Sequence, residues 1–126
     1  MTKYKQQGFS NTFKNARKGM RLTLKSERNI RVHIFVAILV LLSAYYFNFS
    51  LVKFCILLLT IAAVISAEMF NSAIEFSLDA IFHNRYSRMV GMAKDIAAGA
   101  VLVVTVSAVL VGVLLFAPVF ANLLNS

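Results

Sequence analysis

From Ile96 to Ala117 the chain runs for 22 residues without a charged side chain, stopping just before Pro118. A helix of that length crosses the hydrocarbon core of a bilayer. Two further runs are nearly as apolar. Val32 to Phe47 is interrupted only by His33 and Ser43, and reaches about 18 residues when Ile30 and Arg31 are added at its basic edge. Leu51 to Ala67 carries one charge, Lys53. With 60% apolar and 14% charged residues the composition is that of a membrane protein, and 126 residues allow a single domain, 1–126. The expectation is an all-α membrane protein with spans over about 30–47, 51–81 and 96–117. Asn48, Phe49 and Ser50 form a tight turn, so the second span returns antiparallel to the first.

The net charge of +8 would suggest nucleic acid in a soluble chain, but its distribution argues for a membrane surface. Nine of the 13 basic residues, Lys3, Lys5, Lys14, Arg17, Lys18, Arg21, Lys25, Arg28 and Arg31, precede or open the first apolar run. Arg85, Arg88 and Lys94 fall between the second and third. Only Lys53 is left for the other face, so the positive-inside rule puts the amino terminus and the 83–94 loop in the cytoplasm. Over about 9–27, Phe9, Phe13, Ala16, Met20 and Leu24 recur with helical spacing among basic residues, which predicts an amphipathic helix lying on an anionic leaflet. Arg31 and His33 are expected to snorkel to the interface, and Tyr45 and Tyr46 to form an aromatic belt at the other end. A single cysteine, Cys55, permits no intrachain disulfide. Cys55, His33 and His83 have no zinc-ligand spacing.

Chemistry gathers at the end of the second run. Glu68, Asn71, Ser72, Glu75 and Asp79 share one helical face about 100° wide. Ionisable groups at a hydrocarbon edge are costly and usually functional. All five acids of the chain fall on the basic side, with Glu27 before the first span and Asp95 at the start of the third. Glu68, the deepest, loses hydration and is the candidate general base. Glu27 and Glu75 lie nearer the headgroups, where two carboxylates together with phosphate oxygens hold a hard cation such as Mg²⁺. Lys94 can neutralise a transferring phosphate. Phosphoryl transfer needs little more than a positioned hydroxyl, a metal on the phosphates and a nearby cation. Two other readings compete: a stripe that merely glues helices through Asn71 and Ser72, and a proton-coupled transporter with Glu68 as carrier. Against the transporter, the acids march out of the membrane and no repeated half is visible. No GxxxxGK[ST] loop is present, so any nucleotide site is built another way.

The stretch Glu68-Met69-Phe70-Asn71-Ser72-Ala73-Ile74-Glu75, followed by Asp79, resembles the E-x-x-N-[ST]-A-I-E helix of the small bacterial diacylglycerol kinase and undecaprenol kinase family. Gly19, Ser26-Glu27-Arg28-Asn29 and the run from Ala93 through Lys94-Asp95-Ile96-Ala97-Ala98-Gly99 to Val101 extend the likeness from about Phe9 to Pro118. The resemblance implies a surface helix and three spans per chain in the bacterial cytoplasmic membrane, a homotrimer with active sites between subunits, and direct phosphorylation of a lipid hydroxyl by ATP·Mg²⁺. It further implies Glu68 as catalytic base, Glu27 and Glu75 as metal ligands, and Asn71, Tyr86, Lys94 and Asp95 as nucleotide and phosphate contacts. At Tyr86 the chain departs from many relatives, having Ser87-Arg88 where they have histidine next. Glu27-Arg28-Asn29 and the Ala-Ala-Gly order after Lys94 are more similar to the undecaprenol branch, with diacylglycerol the alternative substrate.

Overall fold

The structure, a computed structural model, describes residues 8–126; Lys3 and Lys5 of the amino-terminal basic set lie outside the described residues. Those residues form four α-helices: α1 (Phe9–Ser26), α2 (Arg28–Tyr46), α3 (Leu51–Phe82) and α4 (Arg88–Leu124). α2, α3 and α4 are each long and apolar enough to cross a membrane. At 1.5 Å per residue α3 is about 48 Å long and α4 about 55 Å, against about 30 Å of hydrocarbon. Both helices are therefore longer than the apolar layer is thick.

The junctions follow from local chemistry. Thr23 and Ser26 turn their hydroxyls back onto the carbonyls of Gly19 and Leu22, which weakens the last turn of α1. The helix ends at Glu27, a single residue in extended conformation. Its N–H donates to Thr23 O at 2.9 Å, and Arg31 Nη1 reaches back from α2 to the carbonyls of Leu24 and Lys25 at 3.0 and 2.9 Å. A cation on the last carbonyls of a helix opposes the dipole's negative end. Arg31 therefore fixes the elbow between α1 and α2.

Between α2 and α3, Asn48 takes a left-handed conformation with φ 57°. The N–H groups of Phe49 and Asn48 donate to Ala44 O and Tyr45 O, the paired bonds of a Schellman cap. Ser50 Oγ then accepts from Lys53 N–H and opens α3. The turn is held to the far end of α4 by Phe49 against Phe116 and Phe47 against Phe120, with ring centroids 4.8 and 6.3 Å apart.

One boundary differs from the sequence reading. The third span was expected to stop before Pro118, yet α4 continues through it to Leu124. Proline removes one backbone hydrogen bond, and a long helix with intact turns on both sides tolerates that single gap.

Packing follows a seven-residue rhythm. The buried residues are Ile30, Ala37 and Ala44 on α2, Leu57 and Val64 on α3, and Val90 and Ala97 on α4, together with Ser72. Seven-residue spacing marks a left-handed packing seam, and alanine on it lets backbones approach closely. Ala44 is 0% exposed. Ala44→Leu should therefore overpack the seam and lower stability by about 1–3 kcal/mol, read as a fall in the unfolding midpoint of the detergent-solubilised protein, whereas the reverse change at an exposed position, Leu42→Ala, should shift it less.

Candidate functional site

The α3 seam explains where the acids lie. Counting on from Leu57 and Val64 by seven reaches Asn71, and the companion row three residues earlier runs Ile61, Glu68, Glu75. The seam is apolar as far as Val64 and polar from Glu68. Glu68, Asn71, Glu75 and Asp79 are half-buried, while Phe70, Ala73, Ile74, Phe76 and Ser77 between them are exposed. The stripe thus faces neighbouring helices rather than lipid.

Two contacts fix it there. His33 Nε2 on α2 lies 3.1 Å from Glu68 Oε1, with the glutamate side chain 12% exposed and the histidine 31%. Lys94 Nζ on α4 lies 2.7 Å from Asp79 Oδ1 and also feels the charge of Glu75. His33, read from sequence as an interfacial residue, is instead the partner of the candidate base. The signal was available in the register: in a hairpin turning near residue 50, positions 33 and 68 face each other.

The same register places Glu27 and Glu75 at one level. Glu27 precedes His33 by six residues and Glu75 follows Glu68 by seven, so in antiparallel helices both stand about 9–10 Å beyond the His33–Glu68 contact, toward the basic end. Among the described residues no three His, Cys, Asp or Glu side chains gather around one point. The donor chemistry that remains, two carboxylates from opposing segments, suits Mg²⁺ shared with phosphate oxygens.

Asn71 Oδ1 is buried and has no hydrogen-bond partner. A buried acceptor left unmatched costs about 1–3 kcal/mol. Tyr86 belongs to the loop after α3. His83 and Asn84 are both left-handed, with φ 51° and 63°, and their N–H groups close back onto Asp79 O. The chain then turns so that the Tyr86 ring lies on Gly91 in the first turns of α4, where a Cβ would meet its hydroxyl at 2.8 Å. Ser87 Oγ caps that helix by accepting from Val90 N–H at 3.2 Å. The Ser87-Arg88 departure thus supplies an N-cap. Tyr86 remains 84% exposed, and Asp95 is also exposed. The structure brings Glu68 to His33 and Lys94 to Asp79; it leaves Tyr86 and Asp95 on the open side of α4.

Between α2, α3 and α4 lies an apolar cavity of about 410 Å³, walled by residues such as Val40, Ile61, Val109 and Phe116. His33 is the ionisable residue in its lining.

Three apolar helices, with acidic and basic side chains gathered toward one end, define an integral membrane protein. The sequence pattern of prokaryotic diacylglycerol kinase matches residues 14–116, and the chain belongs to that family. It is similar to the undecaprenol kinase of Bacillus subtilis (strain 168), 34% identical over 110 residues that cover 87% of this chain and 89% of the relative. It is also similar to a diacylglycerol kinase of Synechocystis sp., 32% identical over 113 residues that cover 90% of this chain and 65% of that protein.

With no partner for its oxygen within the fold, Asn71→Leu should keep or raise the unfolding midpoint of the solubilised protein, by up to about 1 kcal/mol equivalent. A clear loss of stability would show that the amide is matched in the folded state.

Proposed function

We propose that the chain is an ATP- and Mg²⁺-dependent kinase that phosphorylates the terminal hydroxyl of undecaprenol, with diacylglycerol as the alternative acceptor. The observation that carries the reading is the hairpin register: Glu68 on the seam, Glu27 and Glu75 level with each other one step further out. Family membership supports it, and the acceptor assignment rests on the undecaprenol kinase relative being matched over 89% of its length. The diacylglycerol reading has the 32% match to the Synechocystis enzyme behind it.

In this reading Glu68 takes the proton of the lipid hydroxyl as its oxygen bonds to the γ-phosphorus and the bond to the ADP oxygen breaks. Glu27 and Glu75 would hold Mg²⁺, whose charge offsets that of the phosphates. Lys94 stands one salt bridge away and can share its ammonium between Asp79 and a phosphate oxygen. Asn71, Tyr86 and Asp95 bind nucleotide, and Asn71 gains the donor its buried oxygen lacks. Three chains assemble as a homotrimer that covers the exposed apolar faces of α2–α4 and completes each site from a neighbour. α1 lies as an amphipathic helix on the cytoplasmic leaflet, with the amino terminus and the site inside the cell and the protein in the bacterial cytoplasmic membrane.

Transfer of labelled phosphate from ATP·Mg²⁺ to undecaprenol and to diacylglycerol, measured in parallel mixed-micelle assays, tests the reading. Undecaprenol should be the better acceptor. Glu68→Gln, which keeps shape and removes the base, should lower kcat by about 10²–10⁴-fold. Glu75→Gln should raise the Mg²⁺ concentration needed for half-maximal rate. A Glu68→Gln enzyme of wild-type rate would refute the base assignment, and solute flux without ATP turnover would favour a transporter.

A further inference from the structure

His33 stands at a boundary. Its Nε2 is 3.1 Å from Glu68 Oε1, and its ring also lines the apolar cavity between α2, α3 and α4. The two observations are independent, since Glu68 itself is not part of that lining. A glutamate has three side-chain torsions, and the neighbouring polar groups do not hold it: Asn71 Oδ1 on the α3 seam is an acceptor without a partner, and Lys94 on α4 is engaged with Asp79. Among the described residues the histidine is the hydrogen-bond partner of Glu68. With apolar walls on one side, the effective dielectric is low and such a bond is stronger than at an aqueous surface.

We propose that His33 is a positioning residue for the base. Donating its Nε2–H to Glu68 Oε1, the imidazole fixes the carboxylate's orientation and leaves Oε2 as the oxygen that receives the hydroxyl proton of the lipid. The alcohol oxygen bonds to phosphorus, the phosphorus–oxygen bond to ADP breaks, and the proton rests on Oε2. His33 touches neither nucleotide nor lipid hydroxyl; it acts through Glu68. The inference rests on the lipid-kinase reading and assigns a role to a side chain which that reading leaves unused.

The alternative is that His33 merely joins α2 to α3. Three variants of the full chain separate the two: His33→Leu keeps bulk without a donor, His33→Gln keeps an N–H at similar reach, and Glu68→Gln is the inactive reference. In mixed micelles with ATP·Mg²⁺ and the better lipid acceptor, His33→Leu should lower kcat by about 10–100-fold with the KM for ATP within about twofold, in protein that is still folded at the assay temperature although the unpartnered Glu68 carboxylate lowers its unfolding midpoint. His33→Gln should recover most of the rate. Wild-type kcat in His33→Leu, or glutamine no better than leucine, would overturn the proposal. Wild-type protein that transfers phosphate to neither lipid would overturn the kinase reading itself, a result distinct from either. A readout without turnover uses the fact that the chain has two histidines: in a His83→Gln background the ¹⁵N resonance of His33 Nε2 should move when Glu68→Gln is introduced, and a fixed resonance would show that the contact does not exist.

Discussion

The arrangement depends on one constraint, the register of the α2–α3 hairpin. A Schellman cap at Asn48 and an N-cap at Ser50 leave little freedom in the turn, and the aromatic contacts to Phe116 and Phe120 hold it against α4. With the turn fixed, every residue of α2 has a set opposite number on α3. His33 meets Glu68 and Glu27 stands level with Glu75 about 10 Å further along. A one-residue slip on α3 would rotate each acid by about 100° and take it off the seam. The turn at the far end of the molecule therefore determines which residues of α2 and α3 face each other.

The seam also decides how a polar stripe is tolerated. Charged groups facing lipid would be prohibitive, but residues at seven-residue intervals face other helices whether they are apolar or not. α3 uses one continuous packing face for two purposes: Leu57 and Val64 bury apolar surface, and Glu68, Asn71 and Glu75 on the same face are shielded without being sealed. Glu68 keeps 12% exposure and a hydrogen bond; Asn71 keeps a buried oxygen with none. Such unmatched groups lower stability.

Much of this was legible in the sequence. Length and polarity of the apolar runs fixed three spans, because helix rise and bilayer thickness leave few options, and the helical period put Glu68, Asn71, Glu75 and Asp79 on one face. The spacing of Phe9 to Leu24 indicated a helix ahead of the first span, and α1 is there. What was not legible was set by contacts between helices. His33 was read as interfacial because periodicity describes a helix by itself; its pairing with Glu68 follows from the hairpin register. The bonds of Arg31 to α1 were not legible for a related reason, since they arise only because α1 ends at Glu27 and exposes carbonyls within its reach. The passage of α4 through Pro118 reflects a balance between one lost hydrogen bond and many retained ones, which a proline in a sequence does not reveal.

That elbow carries a last step of argument. If α1 and α2 were one continuous helix, Glu27 would sit six residues from His33 and so about 120° around the cylinder from it. A carboxylate so placed would be tied to the helical phase of α2, three residues before the buried Ile30. The single extended residue at position 27 removes the restriction: Glu27 is held by its own N–H to Thr23 O and by the Arg31 cap beside it, and its side chain is no longer bound to the helical phase of α2. The break is where it is because Thr23 and Ser26 loosen the end of α1, while Arg31 closes the gap from the other side. An interruption that costs a few helical hydrogen bonds thus leaves Glu27, at the junction of α1 and α2, free of the helical phase of either helix.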